Sequence, residues 1–119
     1  MTVAFYECRF LVPIHEDADI GSGDLHPGAR WAKLKRDLLV KFGAWTRNPG
    51  FLEGVYTDPD TGLPVADKSR EYRIALSEEK IPELREYLKN MAVEFHQKII
   101  YFFNGKEVEF IENPERYPK

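Results

Sequence analysis

The residues whose types and spacing could do chemistry fall in two short charged pairs, Glu7 with Arg9 and Glu71 with Arg73. Each pair has a spacing of two inside a stretch that alternates polar and apolar, so both members share one face of a strand. A guanidinium in that position binds a carboxylate or phosphate through two parallel N–H donors, and a nearby glutamate holds it in place. The plainer reading is cross-strand pairing among the four, worth roughly 0.2–1 kcal/mol per pair. Phe5 and Leu11 lie on the same face. That mixture of apolar groups and ion pairs also suits a homodimer surface.

Three further groups are candidates. His15, Glu16, Asp17, Asp19, Asp24 and His26 crowd one irregular segment, and histidine with carboxylates is what a divalent cation takes. Their spacing matches neither a calcium loop nor a zinc helix, so we expect no metal and no cofactor. Trp31, Trp45, Tyr56, Tyr72 and Tyr101 could line a pocket between helices and sheet, with Thr46 and Arg70 at its mouth; aromatic residues at these spacings more often make core. His96, before a strand, could act as a general base, although no nucleophile is identifiable around it. Cys8 alternates with core residues, where a thiol is inert packing.

The elements that must position these groups read as follows. Residues 3–14 alternate as a strand, with Tyr6, Cys8, Phe10, Val12 and Ile14 inward. Residues 15–28 form a polar, glycine-punctuated connection, the longest irregular stretch. A helix follows, opened by Pro27, with Trp31, Leu34, Leu38 and Phe42 on one face and Gly43 ending it. Residues 51–57 and 69–76 read as a hairpin around Asp58-Pro59-Asp60-Thr61-Gly62, where proline fixes φ and aspartates cap backbone N–H groups. Ser77 stands where a second helix can be capped; Pro82 is tolerable only in its first turn. Ile81, Leu84, Leu88, Met91, Ala92 and Phe95 make that helix's buried stripe. Residues 98–103 and 107–111 are strands joined at Asn104-Gly105, a two-residue hairpin signal. Residues 113–119 are an irregular tail.

This order predicts an α+β, ferredoxin-like β-α-β-β-α-β domain over residues 1–119, with an extra C-terminal strand. Its antiparallel sheet, in the order fourth-first-third-second, should carry both helices on one face. Glu7, Arg9, Glu71 and Arg73 then share the open face.

The stretch Phe42-Gly43-Ala44-Trp45-Thr46, followed by Gly54, Tyr56, Gly62 and the 69–76 strand, resembles a group of small bacterial proteins of no settled function. Their shared motif is Phe-Gly-Gly-aromatic-Thr. Phe95, Gln97 and Ile99 are similar to the group's Phe-x-Gln step into a core strand. Ala44 departs from the second glycine. The resemblance implies the ferredoxin-like fold and no reaction.

Composition sets the outer bounds. In 119 residues, 43% hydrophobic and 31% charged, there is room for one two-layer domain. A formal net charge of -3 gives no overall pull on nucleic acid or anionic lipid. RNA-recognition domains of this fold carry aromatics on the open face of the two central strands, where this chain has Glu7, Arg9, Glu71 and Arg73. One cysteine allows no internal disulfide. No stretch reads as a membrane span or a normal signal peptide, and a cytoplasmic setting is expected by elimination. The leading expectation is a binding or interaction module, homo-oligomeric, with no catalysis of its own. Its interface or ligand residues are drawn from Glu7, Arg9, Glu71, Arg73, His26, Trp45 and His96. The alternative is an enzyme on a small anionic metabolite, with Arg9 or Arg73 on the anion and His26 or His96 moving a proton beneath the 15–28 loop.

Overall fold

The computed structural model describes residues 4–16 and 23–115. The chain runs β1 (Phe5–Pro13), α1 (Gly28–Phe42), β2 (Thr46–Arg47), β3 (Leu52–Thr57), β4 (Pro64–Ser77), α2 (Ile81–Glu94), β5 (Ile99–Phe103) and β6 (Val108–Glu112), with a single 3₁₀ turn, Glu78–Lys80, before α2. All strand pairs are antiparallel, in the order β2-β4-β1-β5-β6, and β3 pairs with the first half of β4. This is the α+β arrangement expected, with the ferredoxin-like strand order.

Alternation decides which face is inside. Cys8, Phe10 and Val12 of β1 join Tyr72, Ile74 and Leu76 of β4 and Ile100 and Phe102 of β5 in one buried cluster. Trp31, Leu34 and Leu38 of α1 and Leu84, Leu88 and Met91 of α2 pack into that same cluster. Both helices therefore cover one face of the sheet. Tyr87 of α2 donates a hydrogen bond to Asp37 of α1 at 3.0 Å, tying the two together. Burial raises the Cys8 thiol to about 11, with the charge of Glu7 adding to the shift, so it is packing and no nucleophile.

Local chemistry sets the ends. Gly43 is left-handed at φ 82, and its N–H closes α1 on Leu39. Ser77 caps no helix N–H; its hydroxyl turns to Glu79, and the 3₁₀ turn delays α2 until Pro82 sits within its first turn. The Asn104–Glu107 connection is a four-residue turn. Asn104 N–H donates to the Glu107 carbonyl, and the Asn104 side-chain oxygen accepts from the N–H groups of Lys106 and Glu107. Gly105, at φ 96, carries no Cβ because one would stand 2.5 Å from Tyr6 Cβ.

Two features exceed the sequence reading. β4 is 14 residues long, and its first half runs past the end of β1, whose last partner is Ser69. That half forms with β3 an arm projecting from the sheet. The last strand, β6, extends the sheet beyond β5 and does not fold over the open face, so Phe5 and Phe110 stay 65% and 63% exposed.

Candidate functional site

The open face places Arg9 directly opposite Arg73 on the paired strands β1 and β4. Glu71, two residues along β4, lies between the two guanidiniums. Its carboxylate is 3.2 Å from Arg73 Nε and 3.9 Å from Arg9 Nη1, and the residue is only 7% exposed. Asn48, in the link between β2 and β3, donates its amide to the same carboxylate and accepts from Arg73 Nη2 at 3.4 Å. The guanidinium of Arg9 also lies over the Phe103 ring, 4.8 Å from its centre. Arg9 Nε is buried and has no partner. A clamped carboxylate between two half-exposed cations presents both signs of charge at one spot.

Beside this cluster is a cavity of about 210 Å³. Leu11, the register partner of Glu71, and Ser69, two residues from it on the same face of β4, line the near end. Leu52, Gly54 and Tyr56 form the wall on the arm, while Ile99, Tyr101 and Phe110 form the wall on β5 and β6. Tyr101 and Phe110 meet edge to face at 6.1 Å. Asp67 and Gln97 add polar groups to a mostly apolar lining.

The arm is held down by Lys98, immediately before β5. Its ammonium bonds both oxygens of Asp58 at 2.9 and 3.1 Å and Asp60 at 3.0 Å. Asp58, at the end of β3, is 2% exposed and also accepts the Asp60 N–H at 2.8 Å. That backbone hydrogen bond, then the Lys98 ammonium, outweigh burial and lower its acidity range.

Several expectations are corrected here. Glu7 shares the face but faces Ala75 across the strands and holds neither arginine; Glu71 holds both. Trp45 lies on the helix side, edge-on to Tyr72 at 6.2 Å with the Lys35 ammonium 5.4 Å from its ring centre. Trp31 and Tyr72 are core, whereas Tyr56 and Tyr101 line the open-face cavity. No common aromatic pocket between helices and sheet unites the five. His26 is buried among Trp31 and Phe95, on the helix side, away from the arginines. Arg30 Nη1 donates to its Nδ1 at 2.9 Å, so the ring proton is on Nε2, which donates to the Pro13 carbonyl at 2.8 Å. Burial depresses its pKa to about 4. His96 is exposed at φ 51, with its ring 4.0 Å from Glu16. Neither histidine reaches the Arg9–Arg73 pair, so the proton-moving role sketched for them has no geometric basis.

In the 15–28 segment, Asp17 and Asp19 lie outside the described residues. His15 bridges to Leu25 through backbone, and Glu16 pairs with Arg30 at 2.8 Å. Among the described residues no group of three or more histidine, cysteine or acidic side chains could hold a metal ion. No helix among them is long and apolar enough to cross a membrane.

The sequence reading missed Asn48, Gln97 and Lys98 as site residues. Gln97 carried a signal in its step before the strand at Ile99; Asn48 carried none, because its partner is 23 residues away.

No protein-family model matches this chain, and no curated protein matches it. Two solved structures are similar in fold. A phage SAM lyase in complex with S-methyl-5'-thioadenosine aligns with a TM-score of 0.65 and 20% identity, covering 98% of this chain and 95% of its own. A phage SAM lyase in the apo state aligns with a TM-score of 0.61 and 20% identity, covering 92% and 90%. The expectation of a module without catalysis is corrected by these neighbours. Both neighbours are an enzyme, and one holds a small molecule.

Proposed function

We propose that the chain is a lyase for a small sulfonium metabolite of the S-adenosylmethionine type. The observation that carries this reading is the buried Glu71 carboxylate, clamped by Arg9, Arg73 and Asn48 beside a mostly apolar cavity. The cavity is smaller than the roughly 300–1,000 Å³ of drug-sized sites. It therefore suits the nucleoside part of such a substrate, with the amino-acid arm reaching out along β1 and β4. There Arg9 and Arg73 offer donors to the substrate carboxylate, and Glu71 offers an anion to the sulfonium or ammonium. As the bond between sulfur and the amino-acid side chain breaks, its electron pair goes to sulfur, and the substrate's own carboxylate oxygen bonds to the carbon released and closes a lactone. The leaving group is then a neutral thioether, S-methyl-5'-thioadenosine, and it needs no proton. That neither histidine reaches the Arg9–Arg73 pair is therefore no obstacle to such a reaction.

The test is incubation with S-adenosylmethionine and chromatographic detection of S-methyl-5'-thioadenosine. Wild-type protein should release it, and Glu71→Gln should reduce kcat/KM by about a hundredfold or more while the melting curve stays cooperative. Release no faster than in buffer, or an unaffected Glu71→Gln, would sink the reading. A cytoplasmic setting, where such a metabolite is available, belongs to the same proposal.

A homo-oligomer is the second part of the proposal. Phe5, Val108 and Phe110 are exposed on the open face, and no element of the chain covers them among the described residues. Burying them against a second copy favours association. Sedimentation at micromolar concentration should show a species larger than one chain, and Phe5→Glu should shift it towards the monomer. A monomeric wild type refutes this part and leaves the reaction untouched.

A further inference from the structure

We infer that Gln97 is the specificity-determining residue of the cavity and that its side-chain oxygen accepts a hydrogen bond from an amino group on the occupant's base. This rests on the adenosyl reading above. Gln97 is 1% exposed and contributes to the cavity wall beside Pro13 and Ile99. Its orientation is fixed: Nε2 donates to the His15 carbonyl at 2.7 Å and to the Phe95 carbonyl at 2.9 Å. A flipped amide would set Oε1 against both carbonyl oxygens, acceptor against acceptor. Oε1 therefore stays an acceptor, and it has no partner. The nearest ring donor cannot serve it, because the one N–H of neutral His26 is spent on the Pro13 carbonyl.

A buried acceptor without a donor is rare in a folded protein, and a donor brought by a ligand removes the deficit. The rest of the cavity agrees with a donor-rich, unphosphorylated occupant. Its other charged and polar side chains include Glu53, Asp67 and Ser69, and no lysine or arginine is among the residues that line it. An exocyclic amine on a purine fits this setting. A carbonyl in the same place would oppose Oε1, and a site built to bond one hydrogen-bonding partner rejects the analogue that lacks it.

The experiment is calorimetric titration with three ligands: S-methyl-5'-thioadenosine, its 6-oxo analogue and its N6,N6-dimethyl analogue. Wild-type protein should bind the amine at least about tenfold more tightly than either of the others. In Gln97→Met the two ratios should fall to within about threefold of unity. Ratios are read within one protein sample, so a loss of stability in a variant does not imitate the result. The wild-type ratios decide amine recognition even where a variant fails to fold. Equal wild-type binding of all three ligands, or a preference that persists in Gln97→Met, overturns the assignment and leaves the lyase reading standing. Failure of all three to bind wild-type protein overturns the lyase reading, and this inference with it.

Discussion

Replacing Lys98 with methionine isolates what holds the β3–β4 arm over the cavity. The substitution keeps most of the aliphatic stem and removes the ammonium from Asp58 and Asp60. Asp58, 2% exposed, then keeps a backbone donor, the Asp60 N–H, for a carboxylate that is out of water. Removing one partner of a fully buried pair costs about 3–5 kcal/mol. Lys98 and Asp60 are partly open to solvent, so screening brings the expected loss down to about 2 kcal/mol. For a domain of this size that is a fall in Tm of roughly 6–10 °C. The pH dependence supplies a second check. Asp58 has its acidity range lowered in the folded state from the ordinary 3.8, so its contribution is complete above that value and is lost as pH falls through the folded one. The gap between wild type and Lys98→Met should therefore close on acidification below about pH 4. Urea and thermal melts across that range, with the affinity for S-methyl-5'-thioadenosine, make the assay. A Tm change under about 2 °C near neutral pH, or a gap that widens in acid, would refute the reasoning.

Two further outcomes follow from the same kind of argument. His26 has its pKa depressed from 6.5 to about 4, so the unfolded chain takes up the proton first. Stability on this account is full above about pH 6.5 and is lost by about pH 4, by roughly 3 kcal/mol. Urea melts of wild type and His26→Phe should converge over that interval, and parallel curves would contradict the assignment. His96 sits at φ 51 with only a 4.0 Å contact to Glu16. His96→Gly should raise stability by about 0.5–1 kcal/mol; a lower Tm would show that the ring contributes more than its geometry indicates.

Much of this architecture was legible because alternation and helical spacing are local. Cys8, Phe10 and Val12 inside, with Arg9 and Leu11 outside, follow from a period of two. Trp31, Leu34 and Leu38 follow from a period of 3.6. Gly43 and the Asp58–Gly62 turn were readable from residue type alone. The site was readable only in part, because its groups meet through register and through the length of β4. Which glutamate clamps the arginines depends on Arg9 facing Arg73 and Glu7 facing Ala75, and no periodicity contains that pairing. Tyr56 lines the same cavity as Tyr101 only because β4 outruns β1 and pairs there with β3. The polar run at residues 66–70 hid the first half of that long strand. His26 looked like a ligand or a base because the sequence does not show that Arg30 and the Pro13 carbonyl consume both ring nitrogens.

The position of Arg9 against Arg73 bears on function through a cost. Like charges directly opposite on paired strands are unfavourable, and a sheet under selection for stability alone has no reason to keep two guanidiniums in register. Glu71 relieves the repulsion, but one carboxylate between two cations leaves the cluster of three with a net positive charge. Arg9 Nε has no partner, so the cluster is incompletely satisfied as folded. A local conflict of this kind, inside a sheet whose patterning is otherwise consistent, is where a site is expected. The residual positive charge matches one carboxylate from outside, and Glu71 beside it matches one cation. A substrate carrying both, with an apolar aromatic body to fill the adjoining cavity, answers all three demands at once. The amino-acid arm, sulfonium and nucleoside of an S-adenosyl compound are such a set.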